Sequence, residues 1–262
     1  MEINLQGKKA LVGGSTSGIG KAIAHQLAKS GASITLVGRN DNKMKALLTE
    51  LDDSKGQSHQ YLITDYLDFD GYKKTISDYF KATSVDILVN NTQGPNPGAV
   101  FQKSESDYQQ AFNLLFQNAV LTTTLALEKM KDNGFGRIIN VSSMTVKEPQ
   151  DNLVLSNTMR TALVSWSKSL SNAVAKDNIT VNSIMTGYFD TERLTSLMES
   201  QATNDGVSFQ EIKAKRIQTV PAQRLGDPKE YGYLVAFLAS EYASFLTGAS
   251  IPLDGGIAKS LF

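Results

Sequence analysis

The chain contains no cysteine, only two histidines among its 262 residues, and no excess of either charge, with 26 basic and 26 acidic side chains. Each scarcity excludes something. Without thiols there is no disulfide framework, no thiolate nucleophile and no cysteine-ligated metal. With His25 and His59 as the only imidazoles, a histidine-rich metal site is not expected either, and the expectation for metals is none. Balanced charge offers no positive field to nucleic acid or to an anionic membrane surface, so neither is expected as a partner. No apolar run approaches the length that spans a bilayer. The opening MEINLQGKKALVGG has no basic segment followed by an apolar one, so no secretory leader is expected and the cytoplasm is the expected compartment.

What is present is a globular balance, with 41% hydrophobic and 20% charged residues, enough to bury a sizeable core. Short β-rich runs alternate with longer segments of helical spacing. The runs KALVGG, SITLVG, HQYLIT, DILVN, GRIINVSS, ITVNSIM and SIPLDGG begin at 9, 33, 59, 86, 136, 179 and 250. Most are continuously apolar, as strands buried on both faces of a parallel sheet are. Gly31 and Gly134 stand where left-handed caps would end two of the helices. The alternation predicts an α/β Rossmann-type doubly wound parallel sheet of about seven strands, with helices on both faces and right-handed crossovers. One domain, 1–262, is expected. The polar, partly helical segment 187–226 leaves the carboxyl end of the sixth strand, where such sheets bind ligands. It reads as a lid over a substrate or as an ordinary surface excursion.

Between the first strand and the first helix lies LVGGSTSGIGKAIAHQLAKSGA. Glycines there let the backbone turn tightly and approach a pyrophosphate, while the helix supplies free N–H groups and a positive dipole end. The stretch Gly14, Ser15, Thr16, Ser17, Gly18, Ile19 and Gly20 is therefore the expected phosphate cradle. Arg39 ends the second strand, where an acidic residue would hold a ribose 2′-hydroxyl. Its planar fork suits a 2′-phosphate instead, so NADP(H) is expected over NAD(H), with nearby Asp41 as the feature against it.

At this point the chain resembles the short-chain dehydrogenase/reductase family over nearly its whole length. The resemblance rests on the glycine loop, on NN at 90–91, on GRIINVSS, on ITVNSIMTGYFDTERL (with Thr186 where the family has proline) and on RLGDPKEYGYLVAFLASEYASFLTGASIPLDGG. Within the family the 3-oxoacyl-acyl-carrier-protein reductase-like members are most similar. The resemblance implies further cofactor contacts at Asp65, Tyr66, Asn91 and Gly187, Asp65 reading alternatively as a helix cap. It implies a small-molecule substrate and a homo-oligomer, tetramer or dimer, formed through the helix at 152–176 and the C-terminal strand.

The resemblance also implies a serine, tyrosine, lysine and asparagine at the reacting centre. Ser143 matches the serine. The tyrosine position holds Ser156, the lysine position Arg160 and the asparagine position Leu115. A serine hydroxyl is far less acidic than a phenol and reaches less far. Arg160 retains a cation that could bond ribose hydroxyls, but it does not release a proton at any relevant pH. Tyr188, after Gly187, is a candidate replacement donor or a tyrosine packing the lid's base. Glu148 and Asp151, on the loop after Ser143, are weaker candidates. Two readings stand: an NADP(H)-dependent oxidoreductase reducing a carbonyl with a rewired proton path, or a catalytically degenerate dinucleotide-binding or partner-subunit protein.

Overall fold

The computed structural model describes residues 2–261. Seven strands form one sheet: β1 Lys9–Val12, β2 Ser33–Gly38, β3 Gln60–Ile63, β4 Ile87–Asn90, β5 Gly136–Val141, β6 Ile179–Thr186 and β7 Ser250–Leu253. Their order is β3-β2-β1-β4-β5-β6-β7, and every pairing is parallel. This is the doubly wound Rossmann-type sheet that the apolar runs predicted. β1 pairs with both β2 and β4, so the winding reverses there and opens a crevice at the strands' carboxyl ends.

Helices α1 Gly18–Lys29, α2 Asp41–Glu50 and α9 Pro228–Ala239 bury Ile23, Leu27, Met44, Leu47, Val235 and their neighbours in one core cluster. On the other face lie α3 Phe69–Ala82, α4 Glu105–Phe112, α5 Asn118–Asp132 and α6 Val154–Val174. They bury Tyr72, Ile76, Leu115, Met130 and Met159 in a second cluster. A π-helical turn, Asn113–Gln117, joins α4 to α5; such turns recur at functional sites. Gly31 and Gly134 both take positive φ, at 103° and 60°, just after α1 and α5.

The segment after β6 folds as two helices, α7 Glu192–Asp205 and α8 Phe209–Gln218. They have a small core of their own, Leu194, Met198, Ala202, Ile212 and Leu225. Among the described residues no helix is long and apolar enough to cross a membrane, and no group of three metal-ligating side chains gathers.

One buried cation stiffens the sheet. Arg137, in β5, is 1% exposed. It donates to the carbonyls of Ser240, Gly136 and Asn178 at 3.2, 2.8 and 3.0 Å and its guanidinium stacks over Phe135 at 4.3 Å. Arg137→Met removes the charged donor and leaves buried carbonyls short of a partner, at ~1–3 kcal/mol each. A loss of about 3 kcal/mol in urea unfolding, with the slope unchanged, is the expected result.

Candidate active site

The glycine loop is held by contacts that exclude side chains. Gly14 and Gly18 have φ of 52° and 53°, a region that β-carbons disfavour. A β-carbon on Gly13 would run into the Asn91 carbonyl and lie 2.8 Å from the Tyr66 hydroxyl; one on Gly20 would run into the Gly14 carbonyl. Asn91 braces the loop, its Nδ2 donating to the Gly13 carbonyl at 3.0 Å and reaching the Gly14 carbonyl at 3.4 Å. Ser17 is the N-cap of α1, yet its side chain caps nothing, and the first turn carries no acidic residue. The positive end of α1 is thus left to an external anion. Thr16 lies beside Gly38, with its Cγ2 3.3 Å from where a β-carbon would stand there. Ile19 is half-buried against the first core cluster.

Two residues expected at the cofactor have their side chains turned inward. Ser15 is fully buried, and its hydroxyl accepts from the Val37 N–H at 3.1 Å while donating to the Val37 carbonyl at 3.3 Å. It stitches the loop to β2. The Tyr66 ring is buried beside Tyr72, centroids 4.9 Å apart, and burial pushes its phenol far above the ordinary range. Its carbonyl accepts from Asn118 Nδ2 at 2.9 Å. Both side chains are braces, because the close approach of loop, β2 and α5 leaves them no outward path.

Arg39 and Asp65 stand at the carboxyl ends of β2 and β3. Arg39 is exposed and Asp65 half-buried, and Arg39 Nη1 lies 3.6 Å from Asp65 Oδ2. Asp65 does not cap α3; Asp68 does, accepting from Gly71 N–H at 3.0 Å. Asp65 instead accepts from Leu67 N–H at 3.0 Å. Asp41 is committed elsewhere, to Tyr61 Oη at 2.8 Å and Lys45 Nζ at 2.7 Å, and these partners lower its pKa, the Lys45 bond first. The acidic residue that argued against a 2′-phosphate is thereby neutralised by its own neighbours.

At the other end of the crevice, Ser143 follows β5. Its hydroxyl accepts from the N–H and the Oγ of Thr145, at 3.2 and 3.0 Å. Ser156 lies in the first turn of α6, and its hydroxyl accepts from Arg160 Nε at 3.2 Å. Arg160 Nη1 donates to the Val141 carbonyl at 2.6 Å, so a single arginine fastens α6 to the end of β5, two residues before Ser143. Burial lowers the Arg160 pKa, and no carboxylate among the described residues pairs with it. Leu115, in the π-helical turn, is apolar core.

The replacement donors fare as follows. Tyr188 packs against the small lid core with the Arg216 guanidinium 4.8 Å from its ring centroid. It also lines a cavity of about 180 Å³ with Phe189, Arg224, Glu230 and Asp254. Neither Ser143 nor Ser156 bonds to it. Glu148 accepts from the N–H groups of Lys259 and Ser260, clasping the C-terminal segment, and Asp151 is exposed. Gly187 allows close approach of that same segment: a β-carbon there would lie 2.7 Å from Asp254 Cβ, and its N–H donates to the Leu253 carbonyl at 3.0 Å. Three residues that the sequence did not single out complete the site. Thr145 fixes Ser143. Tyr231, fully buried in α9, bonds Thr186 Oγ1 at 3.0 Å, giving the threonine in place of proline a partner. Asn140 links Asn90 at 2.8 Å to Ser167 at 2.8 Å, pinning β4, β5 and α6 together.

The family model described as enoyl-(acyl carrier protein) reductase matches residues 14–258. A 3-oxoacyl-[acyl-carrier-protein] reductase of Aquifex aeolicus is 32% identical over 98% of this chain and 100% of its own. The chain is a short-chain dehydrogenase/reductase. An NADPH-dependent reductase of bacilysin biosynthesis superposes with a TM-score of 0.90 at 31% identity, over 97% of this chain and 99% of its own. The L-sorbose reductase of Gluconobacter frateurii, solved with NADPH and L-sorbose, reaches 0.92 at 28% identity over the whole of both chains.

Proposed function

We propose that this short-chain dehydrogenase/reductase is an NADP(H)-dependent oxidoreductase that reduces a small-molecule carbonyl compound in the cytoplasm. The observation that carries the reading is the phosphate cradle: glycines a β-carbon would fill, an α1 end that no side chain caps, and Arg39 without competition from Asp41. Gly14, Thr16, Ser17, Gly18, Ile19 and Gly20 would hold the pyrophosphate, with Arg39 at the 2′-phosphate, Asp65 near the adenine, and Asn91 and Gly187 shaping the floor. The bound cofactor supplies a hydride. This chain's residues then position and polarise the acceptor. Ser143 and Ser156 each offer a hydroxyl proton to the carbonyl oxygen, and Arg160 sets a fixed positive charge behind Ser156. Hydride transfer needs mainly this positioning; the missing phenol costs the proton-transfer contribution, ~10²–10⁴-fold in rate.

The whole of 1–262 acts in this reading as one domain, with 187–226 as the lid. We include a homo-oligomer, dimer or tetramer. The half-exposed aromatic group Phe112, Phe116 and Trp166, with Phe116 centroids 5.3 and 6.3 Å from the other two, supports such a contact.

Calorimetric titration with NADPH and NADH tests the cofactor assignment. NADPH is expected to bind more tightly. Arg39→Ala should weaken NADPH by roughly 10–100-fold, the value of one or two charge-assisted hydrogen bonds, and leave NADH unchanged. Equal affinities that Arg39→Ala does not alter would remove the NADP(H) assignment.

A further inference from the structure

The segment that leaves β6 joins two parts of the crevice. At its start, β5 and β6 run in register to the pair Val141 and Ile184. The Ser142 N–H carries the ladder onward, donating to the Ile184 carbonyl at 2.9 Å. Two residues beyond that pair stand Ser143 on one strand and Thr186 on the other. Side chains alternate along a strand, so Thr186 faces the side of the sheet that Ile184 faces, where α1 and α9 pack. At the far end of the segment, Thr191 rests on the glycine loop, its Cγ2 3.2 Å from where a β-carbon on Gly18 would stand. A dinucleotide with its phosphates in that loop and its ring reaching toward Ser143 runs along residues 186–191.

Two threonines bound this segment, and only one has a proton to offer. Thr191 Oγ1 accepts from the Leu194 N–H at 3.2 Å, capping α7, and donates to the Phe189 carbonyl at 3.4 Å. Thr186 is half-buried, with Oγ1 3.0 Å from the Tyr231 hydroxyl. The direction of that bond decides what Thr186 presents. Tyr231 is fully buried, and burial pushes its phenol far above the ordinary value, so the phenol keeps its proton. Among the described residues its hydroxyl has no hydrogen-bond partner but Thr186. A buried proton without an acceptor is costlier than one that reaches solvent or ligand. Tyr231 therefore donates and Thr186 accepts. A hydroxyl carries one proton, and that of Thr186 is left for an acceptor in the crevice. The proline that the family resemblance expects at 186 has no such proton, so the donor is a property of this chain.

We propose that Thr186 is a specificity-determining contact to the cofactor, its hydroxyl donating to the carbonyl oxygen of the nicotinamide carboxamide, and that Tyr231 is the positioning residue that aims it. This rests on the NADP(H) binding proposed above. A neutral donor of fixed direction selects by the acceptor atom it meets, so oxygen is preferred to sulfur at that place.

Calorimetry with three probes tests the contact without turnover. NADP⁺ carries the carboxamide oxygen. Its thionicotinamide analogue carries sulfur instead, a weak acceptor. Adenosine 2′,5′-bisphosphate has no nicotinamide. Thr186→Val keeps the shape and removes the hydroxyl. It should weaken NADP⁺ roughly fivefold, the value of one neutral hydrogen bond, and leave the other two probes unchanged. Thr186→Ser retains the hydroxyl and should retain the parent's preference for oxygen over sulfur. Tyr231→Phe frees the threonine to turn and should reduce that preference in part; an unchanged preference there overturns the positioning role. A threonine that merely packs against α9 gives a different pattern: Thr186→Val would weaken all three probes alike, and that result overturns the proposal. So does a preference for oxygen over sulfur that survives in Thr186→Val. Should the valine variant not unfold cooperatively, Thr186→Ala provides the same comparison. Binding of the bisphosphate with no effect of Thr186 on NADP⁺ leaves the NADP(H) reading standing and overturns the contact alone. A parent protein that binds none of the three probes removes the NADP(H) reading and the contact with it.

Discussion

Gly20→Val is expected to raise the Kd for NADPH by at least 100-fold. The glycine is the first-turn residue of α1 at which the helix meets the preceding loop, and an added β-carbon would run into the Gly14 carbonyl and lie 2.8 Å from Asn91 Nδ2. Neither neighbour is the free end of a flexible side chain. Gly14 is backbone with φ of 52°, and Asn91 is already spent on the Gly13 carbonyl. Relief requires the loop to leave the helix, which takes the N–H groups of α1 away from the phosphate they would bind. The loss of those charge-assisted bonds, each about 1.5–3 kcal/mol, accounts for the fold-change. Gly56→Ala is the control: φ is 82° there too, but nothing lies within 4 Å of the added carbon. It should cost about 1 kcal/mol of stability for its strained backbone and leave NADPH binding intact. Calorimetry read together with thermal unfolding separates the two cases. NADPH affinity unchanged in Gly20→Val would mean that the glycine loop is not the binding site.

The strands and the glycine loop were legible because their signals are local. Continuous apolar runs need only the neighbouring residues to reveal burial on both sheet faces, and glycine at a strand–helix junction marks tight backbone whatever lies beyond. The inward direction of the Ser15 and Tyr66 side chains was not legible, because it is set by distant partners. Ser15 bonds Val37, 22 positions on, and the Tyr66 carbonyl is held by Asn118, 52 positions on. Nothing in STSG or in TDYLD announces either. Asp41 was weighed as a competitor for the ribose; its neutralisation by Lys45, one helical turn along, was readable from the spacing alone, whereas its bond to Tyr61 was not. Arg137 and Tyr231 escaped notice for the opposite reason. An arginine inside a strand and a tyrosine inside an amphipathic helix read as surface residues until the carbonyls and the threonine that satisfy them are brought near by the fold. At the proposed reacting centre, the resemblance already suggested Ser156 and Arg160 in place of a tyrosine and a lysine. Their consequence, two hydroxyls each held as acceptor with a proton to spare, depends on Thr145 and Arg160 side-chain placement and needed the structure.

Restoring the missing pair tests whether proton supply limits this enzyme. Ser156→Tyr combined with Arg160→Lys is expected to raise NADPH-dependent reduction of cyclohexanone by ~10²–10⁴-fold, the range that a positioned general acid contributes. Each change alone should do little. A lysine beside Ser156 still has no acidic hydroxyl to activate. A tyrosine at 156 beside Arg160 meets a guanidinium already fixed to the Val141 carbonyl at 2.6 Å and unable to shuttle a proton. The gain is thus non-additive, and a double-mutant cycle on kcat/KM reads it as a coupling. A second signature is the pH profile. The double variant donates from a protonated phenol, so its ketone reduction should fall as pH rises through the pKa of that phenol, which the lysine charge lowers from its ordinary value near 10. The parent, with only serines and an arginine at the centre, should show no such limb. If the double variant folds, binds NADPH and shows no ketone gain, proton supply is not what holds the parent back. The surroundings of the phenol then decide, beginning with Leu115, whose apolar side chain in the second core cluster gives relay water no anchor, and with Thr186, tied to Tyr231 at 3.0 Å.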